Sequence, residues 1–523
     1  MEAGLVAYFL VWLVYLVQGI LSATTTILAP YVTSAFALHA LTPTVGILSS
    51  VVGGVTSLTL AKVLDVFGRP HGYLFCTLLA TIGLLMLTAC GSVQAYAAAQ
   101  VLQTVGNNGI QYILTVFVAD TSSLRKRGLI QALVTSPNLI VCWLAGPISA
   151  TFLNGLGWRW AFGVSSILVP CSALTLFPLL LHNHREARMS PADGPNSRCT
   201  GPGPCLHSSR QFDAVGLVLL SAGVALFLLP FNLYALQGLS SVSVLSMLIL
   251  GTTILITFIV WERYYAIVTF VPYSLLRDPT VVGTCMVSAT LFASFGCWNS
   301  FFGSYLQVVN GLTVESASYV VQSYVVCSTV GSISAGGLIH ATGRFKRVCL
   351  YLGIPLGILG SSLMMYACQT DIRAVGPLIF GQILLSLAAG TILVCDEIAI
   401  LAAAADHNVA LCLAVLGVSG NIGGAIGLTV ASAIWQAIFP SRLREYLPVK
   451  ELPALADLYA NLSAQLSHPV GSPTRLAIQH AYDDAQLRML AVGSALWVAG
   501  SFGVVLWKDI NVFRIGQGKT SVG

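Results

Sequence analysis

From Ala3 to Ala61 the chain carries no Asp, Glu, Lys or Arg. The charge that ends this run comes in one knot, "AKVLDVFGRP" (61–70), where Lys62, Asp65 and Arg69 share a short stretch with Gly68 and Pro70. A transmembrane helix needs about 20 consecutive apolar residues. Two such stretches, near 5–29 and 43–63, fit before the knot. Continuing along the chain adds stretches near 71–91, 94–119, 128–152, 159–181, 213–233, 242–261, 280–307, 316–339, 348–368, 374–403, 408–438 and 487–507. The total is about fourteen spans. The fold class is therefore an all-α polytopic membrane protein.

Composition excludes the alternatives. Of 523 residues, 56% are hydrophobic and 8% charged, whereas a soluble domain averages about 25% charged residues. A net charge of +5, spread over short loops, offers no basic and aromatic stripe for nucleic acid. Ten cysteines, among them Cys285, Cys349, Cys395 and Cys412, sit in or beside apolar runs, where Cys acts as a small hydrophobe. Cys199, Cys205 and His207 share a Pro/Gly-rich loop, but their spacing matches no zinc pattern. The tail "GQGKTS" lacks the first glycine of a P-loop. No cofactor and no resident metal are expected.

Lys and Arg set the orientation. With the N-terminus in the cytosol, inner loops hold Arg69, the trio Arg125, Lys126 and Arg127, Arg185, Arg188, Arg263, Arg277, Arg344, Lys346 and Arg347. Short outer loops hold only Arg159 and Arg373. The sequon at Asn461 falls in the long outer loop 440–486, where glycosylation would occur. A second Gly-Arg stretch, "GGLIHATGRFKR" (336–347), follows span 10 as the first follows span 2, so both lie on the cytosolic face. Two copies on one face predict two halves related by a parallel repeat. The expected organisation is a six-helix bundle (1–181), a cytosolic loop (182–212), an inserted helix pair (213–261), a cytosolic linker (262–279), a second six-helix bundle with the outer loop (280–507), and a cytosolic tail (508–523).

"DVFGRP" resembles the signature of the major facilitator superfamily between spans 2 and 3, and "HATGRFKR" is similar to its weaker second copy. "PYVTSAFALHAL", "LAKVLDVFGRPHGY", "YAAAQVLQTVGNNGI", "FVADTSSLRKRGL", "DHNVALCLAVLGVSGNIGGAIG" and "HPVGSPTRLAIQHAYDDAQLRML" resemble the fungal siderophore–iron transporters. The resemblance covers nearly the whole chain. It implies a major facilitator fold of two six-helix bundles plus a helix pair, moving ferric siderophore chelates with protons by alternating access. The working form would be a monomer in the plasma membrane, with a vacuolar or vesicle membrane as the alternative. Proton-driven export of a drug, toxin or secondary metabolite is the runner-up. A non-transporting receptor or a membrane enzyme is a minor alternative.

Candidate site residues follow from polarity inside the spans, because ionisable groups in a membrane mark functional positions. Adjacent Asp396 and Glu397 in "GTILVCDEIAI" are the candidates for proton coupling. Gln18, Asn107, Gln111, Trp298, Asn299 and Tyr305 are candidates to line a substrate cavity, although helix–helix hydrogen bonding accounts for any one of them singly. Asp65, Gly68 and Arg69, with Gly343, Arg344 and Arg347 of the second copy, form the candidate gate motif. Gln18 and Asn299 stand where related chains often carry an acid, and Asn107 where they often carry tyrosine. In "GVSGNIGGAIG", Gly417, Gly420, Gly423, Gly424 and Gly427 predict a close helix–helix approach. In the outer loop, Leu455, Leu458, Leu462 and Leu466 predict one amphipathic helix, and Ser472-Pro473 a helix start.

Overall fold

Lipid offers backbone groups no partners, so each span must close its own hydrogen bonds as a helix. A computed structural model describes residues 2–36, 39, 42–67, 69–121, 134, 136–189, 214–237, 242–265, 277–369, 375–403 and 409–510, and among them every regular element is helical. The first half contains α1 (Glu2–Ala35), α2 (Thr42–Phe67), α3 (Arg69–Ala89), α4 (Val93–Thr121), α5 (Pro137–Asn154) and α6 (Trp158–Met189). The helix pair is α7 (Ala214–Gln237) and α8 (Val242–Tyr264). The second half begins with α9 (Pro279–Asn299), continued after a break by the short α10 (Phe302–Val308), and then α11 (Val314–Thr342). Next come α12 (Phe345–Val348), a π-turn (Cys349–Gly353) and α13 (Ile354–Gln369), which together make one span. The chain continues through α14 (Val375–Ala403), α15 (Val409–Tyr446), a 3₁₀ turn (Val449–Ala454), α16 (Leu455–Ala460), α17 (Leu462–Ser467) and α18 (Pro473–Leu506).

Fourteen long helices thus stand at the fourteen apolar stretches. Among the described residues, ten are long and apolar enough to qualify as membrane spans by themselves. Gly68, the trio Arg125, Lys126 and Arg127, Cys199, Cys205, His207, Asp213, Arg373 and the tail from 511 lie outside the described residues.

Two expectations change. The stripe from Leu455 to Leu466 is not one helix, because Asn461 is extended (φ −135°, ψ 110°) and separates α16 from α17. The Asn461 side chain accepts the Ser463 N–H at 2.9 Å and so caps the second piece. The last helix also starts well before 487. Ser472 accepts the Arg475 N–H and Pro473 occupies the first turn, so α18 runs 34 residues, about 51 Å at 1.5 Å per residue. The apolar layer is only about 30 Å thick, and the polar residues that carry α18 beyond it are invisible to a hydropathy criterion.

The contacts group into two compact units, one comprising 1–32, 48–227 and 246–270 and the other 33–47, 228–245 and 271–523. In the first unit α3 packs on α4 and α6. In the second, α9 packs on α15 and α18, α11 on α14, and α13 on α14 and α18. The α3–α4 contact admits no side chain at Gly83 or Gly106, each of which lies against the other helix's backbone. Gly360 and Gly381 stand in the same relation between α13 and α14. These two helix pairs follow the two Gly-Arg loops, as a parallel repeat requires. Within α15, Gly423 and Gly427 lie against the α9 backbone at Ala289 and Ala293, whereas Gly417 faces open space.

Gly427→Val should therefore overpack the α9–α15 contact, at about 1–3 kcal/mol, and lower the melting temperature of the purified protein. Gly417→Ala should leave it unchanged or raised.

Candidate functional site

In the first unit the polar candidates fall on one face each of α1 and α4. Tyr15 and Gln18 lie one turn apart on α1, and Asn107, Gln111 and Thr115 are spaced four apart on α4. The Tyr15 and Thr115 hydroxyls join the faces at 3.3 Å. Gln18 is buried, and neither atom of its amide has a partner in the structure. Asn107 is also buried, with its Oδ1 unpaired; Gln111 is exposed. Buried amides are ordinarily hydrogen-bonded, so an unpaired one marks a place where another polar group can be received.

In the second unit the first long helix breaks between Asn299 and Phe302. Discontinuous helices release backbone groups that must find partners, and α18 supplies them. Gln486 Nε2 donates to the Trp298 carbonyl at 2.8 Å. Gln479 Nε2 donates to the carbonyls of Val308 and Val309 at 3.0 and 3.1 Å. Arg475 is buried and donates to the carbonyls of Val308 (3.1 Å), Gln307 (3.2 Å) and Gln465 (2.5 Å). The Tyr305 hydroxyl donates to Asp483 at 2.9 Å. Trp298 is buried, with Phe295, Phe302 and Tyr324 around its ring at 5.7, 5.2 and 5.8 Å. Asn299, next to it, is half-buried at the break itself.

Asp396 and Glu397 are neighbours in sequence but not in surroundings. Successive helical residues point about 100° apart, which sends Asp396 inward and leaves Glu397 exposed on the helix surface. Asp396 is 1% exposed and neither carboxyl oxygen has a hydrogen-bond partner. The thiols of Cys285 on α9 and Cys349 in the π-turn lie within its electrostatic reach. One turn further along α14, Ile400 packs with Val281, Cys412 and Leu416. π-turns frequently occur at functional sites, and this one faces the helix that carries Asp396. Asp396 lies seven residues from the end of α14, about 10 Å along the axis.

At the first Gly-Arg stretch one residue, Gly68, stands between α2 and α3 in sequence. Asp65 ends α2's last turns and Arg69 opens α3. In the second copy Gly343 is left-handed (φ 69°) and caps α11 through its N–H to the Ile339 carbonyl, a geometry that favours glycine. Arg344 and Arg347 then face Asp509 at 3.9 and 4.0 Å. Lys346 donates to the carbonyls of Val505 and Trp507, at the end of α18. Lys508 pairs with Asp278 at 2.6 Å. The second copy therefore fastens the inner end of α18 within its own unit.

The family model for the Major Facilitator Superfamily matches residues 11–428. The chain belongs to the Major Facilitator Superfamily. A curated relative named MFS siderochrome iron transporter 1, from Ajellomyces capsulatus, is 43% identical over 98% of this chain and 88% of its own length. MFS siderochrome iron transporter D of Aspergillus fumigatus is 38% identical over 97% of this chain and 85% of its own. A siderophore iron transporter of Emericella nidulans is 36% identical over 99% and 86%. Among solved structures, a bacterial homolog of the human lysosomal transporter Spinster matches with a TM-score of 0.60 at 14% identity, covering 97% of each chain; that likeness concerns the fold alone. This facilitator is thus a multi-pass integral membrane protein and a transporter, not an enzyme.

The stripe that repairs the broken helix of this facilitator was not singled out in its sequence. Arg475, Gln479, Tyr482 and Gln486 recur at helical spacing and are all buried. That periodicity was the available signal, but it is polar, and apolar periodicity is what marks a core helix. Asp483 went unnoticed for the same reason.

Two outcomes follow. Arg475→Met removes the donor from the Gln307 and Gln465 carbonyls, Val308 keeping Gln479, at about 1–3 kcal/mol for each buried group left without a donor. Thermal melts should show a large loss with membrane insertion intact, and Arg475→Lys should recover only part, since an ammonium lacks the guanidinium fork. The second concerns Asp278, which lies just outside α9. Burial pushes its carboxyl up, but the Lys508 ammonium and the Thr280 N–H outweigh this, so it titrates below its ordinary value. A lowered folded value stabilises the protein above about pH 4, and that stability is lost as pH falls through the folded value. Melting curves of wild type and Asp278→Asn should differ between about pH 5 and 7 and converge below about pH 3.

Proposed function

We propose that this facilitator carries ferric siderophore chelates across the fungal plasma membrane by alternating access, coupled to protons. The observation that carries the reading is its near full-length likeness, at 36–43% identity, to relatives named siderochrome or siderophore iron transporters. The iron is cargo, bound within the chelate. Both six-helix bundles lie on one chain, so the monomer is the working unit. Gln18 and Asn107 in the first unit, and Asn299 beside Trp298 in the second, are the groups that meet the chelate's polar surface. Gln111 borders them on α4, and Tyr305 positions the broken helix through Asp483. Asp396 is the proton carrier. In support, it is buried and unpaired well inside α14, and ionisable groups inside a membrane mark proton and substrate pathways. Glu397, turned outward, serves as its accessory. Asp65, Gly68 and Arg69 form the cytosolic gate. Asn461 carries the glycan.

The test is expression in yeast lacking siderophore uptake, with radio-iron loaded on a panel of siderophores. Wild type should accumulate at least one chelate, and a protonophore should abolish accumulation. Asp396→Asn should lose the dependence on the proton gradient while retaining substrate exchange. Uptake of none of the chelates would overturn the substrate, and expulsion of preloaded substrate would reverse the direction. Gradient-driven accumulation by Asp396→Asn would move the proton site elsewhere.

A further inference from the structure

Arg344, Lys346, Arg347 and Lys508 gather where α11 ends, α12 begins and α18 stops, all within the second unit. They are not equally engaged. Lys346 donates to the carbonyls of Val505 and Trp507 and so closes the end of α18. Lys508 holds Asp278 at 2.6 Å. Arg344 and Arg347 both turn to Asp509, and to the same oxygen, Oδ2, at 3.9 and 4.0 Å. Those distances are too long for hydrogen bonds. Among the described residues neither guanidinium has a hydrogen-bond acceptor. Each presents five N–H donors in a planar fork, and Arg347 is 58% exposed.

The neighbouring surface shows what these forks face. Arg347 heads a run of exposed residues on the span formed by α12, the π-turn and α13. Tyr351 (76%), Ile358, Leu359 and Tyr366 (61%) follow it at helical spacing. Apart from Arg347 these are large apolar or aromatic side chains, and an exposed apolar face on a spanning helix is the face that meets lipid. Tyr351 and Tyr366 stand about 22 Å apart along the axis, within an apolar layer of about 30 Å. Tyrosines favour the two edges of that layer. Arg347 lies one turn beyond Tyr351, at the end that the distribution of Lys and Arg places in the cytosol. It therefore stands at the level of the inner-leaflet headgroups, with Arg344 beside it on Asp509.

We propose that Arg344 and Arg347 form a binding site for the headgroup of an anionic phospholipid of the inner leaflet. The two forks bridge the phosphate oxygens, a planar bidentate contact that an ammonium does not reproduce. Asp509 is the internal anion that competes for the same two cations. The acyl chains lie along the face that carries Tyr351 and Leu359. Charge complementarity, continued directly into a lipid-facing surface, selects a lipid over a soluble phosphate or an acidic protein. Basic pockets at the cytoplasmic ends of spans suit such headgroups. The proposal does not depend on what the facilitator transports.

The test uses the purified full chain in a nonionic detergent, with bound lipid counted by native mass spectrometry. Phosphatidylinositol phosphate is the probe and phosphatidylcholine the control. Wild type should hold the probe at least about ten-fold more tightly than the control. Arg344→Gln combined with Arg347→Gln should lower probe affinity at least about ten-fold, with a melting curve to confirm the fold. Asp509→Asn keeps both forks and removes the competitor, so its probe affinity should rise about three-fold. Equal retention of the two lipids by wild type, or unchanged probe affinity in either variant, overturns the proposal. Arg344→Lys with Arg347→Lys keeps the charge and should still bind about three-fold more weakly. Wild-type affinity there would mean a diffuse positive surface and overturn the two-fork site. The soluble inositol phosphate headgroup separates the sources. It should displace the probe only at about 100-fold higher concentration, because it lacks the acyl chains. Displacement at equal concentration would make this a free-phosphate site and overturn the lipid assignment.

Discussion

Water is absent from the apolar layer of a membrane, so every peptide group there must find its partner inside the protein. Most of this chain meets the demand by being helical. Where it is not helical, something specific repairs it. The break after Asn299 frees the Trp298 carbonyl, which Gln486 of α18 takes up, and the end of α10 frees carbonyls at Gln307, Val308 and Val309, which Arg475 and Gln479 take up. Ser300 helps by donating to the Gly296 carbonyl at 2.5 Å. The inner end of α18 is closed in turn by Lys346 from the second Gly-Arg loop.

This separates the buried polar groups into two kinds. Arg475 and Gln479 are buried and engaged, and their role is to hold the backbone in place. Gln18 and Asp396 are buried with neither polar atom partnered. The break beside Trp298 is packed by Phe295, Phe302 and Tyr324. Glycines bring α9 against α15, and α14 against α11 and α13, backbone to backbone.

The outer side is built differently. At 38 residues, α15 is about 57 Å long, and α18 is nearly as long, so both extend past an apolar layer of about 30 Å. Beyond it they are joined by ordinary surface chemistry: Arg442 pairs with Asp484 at 3.2 Å, and Tyr446 donates to the same carboxylate at 2.9 Å. Between them α16 and α17 fold back and bury Leu458 and Leu462. The loop is thus an ordered part of the second unit, and Tyr459 is buried enough that its hydroxyl is pushed up to about 12.

Hydrophobic length by itself determined the membrane class and the positions of the long helices, because a lipid solvent permits few answers and a span is a local property of about 20 residues. The Gly-Arg pairs likewise stand at the breaks between α2 and α3 and between α11 and α12. Tertiary structure decided what several of the polar residues touch. In sequence Asp396 and Glu397 are a pair; helix geometry alone turns one inward and the other out. Tyr305 reads as a cavity residue until Asp483, far along the chain, is seen to hold it. The stripe Leu455 to Leu466 reads as one helix until Asn461 breaks it. Tyr305 depends on a partner 178 residues away, and sequence pattern reports only neighbours within a few turns.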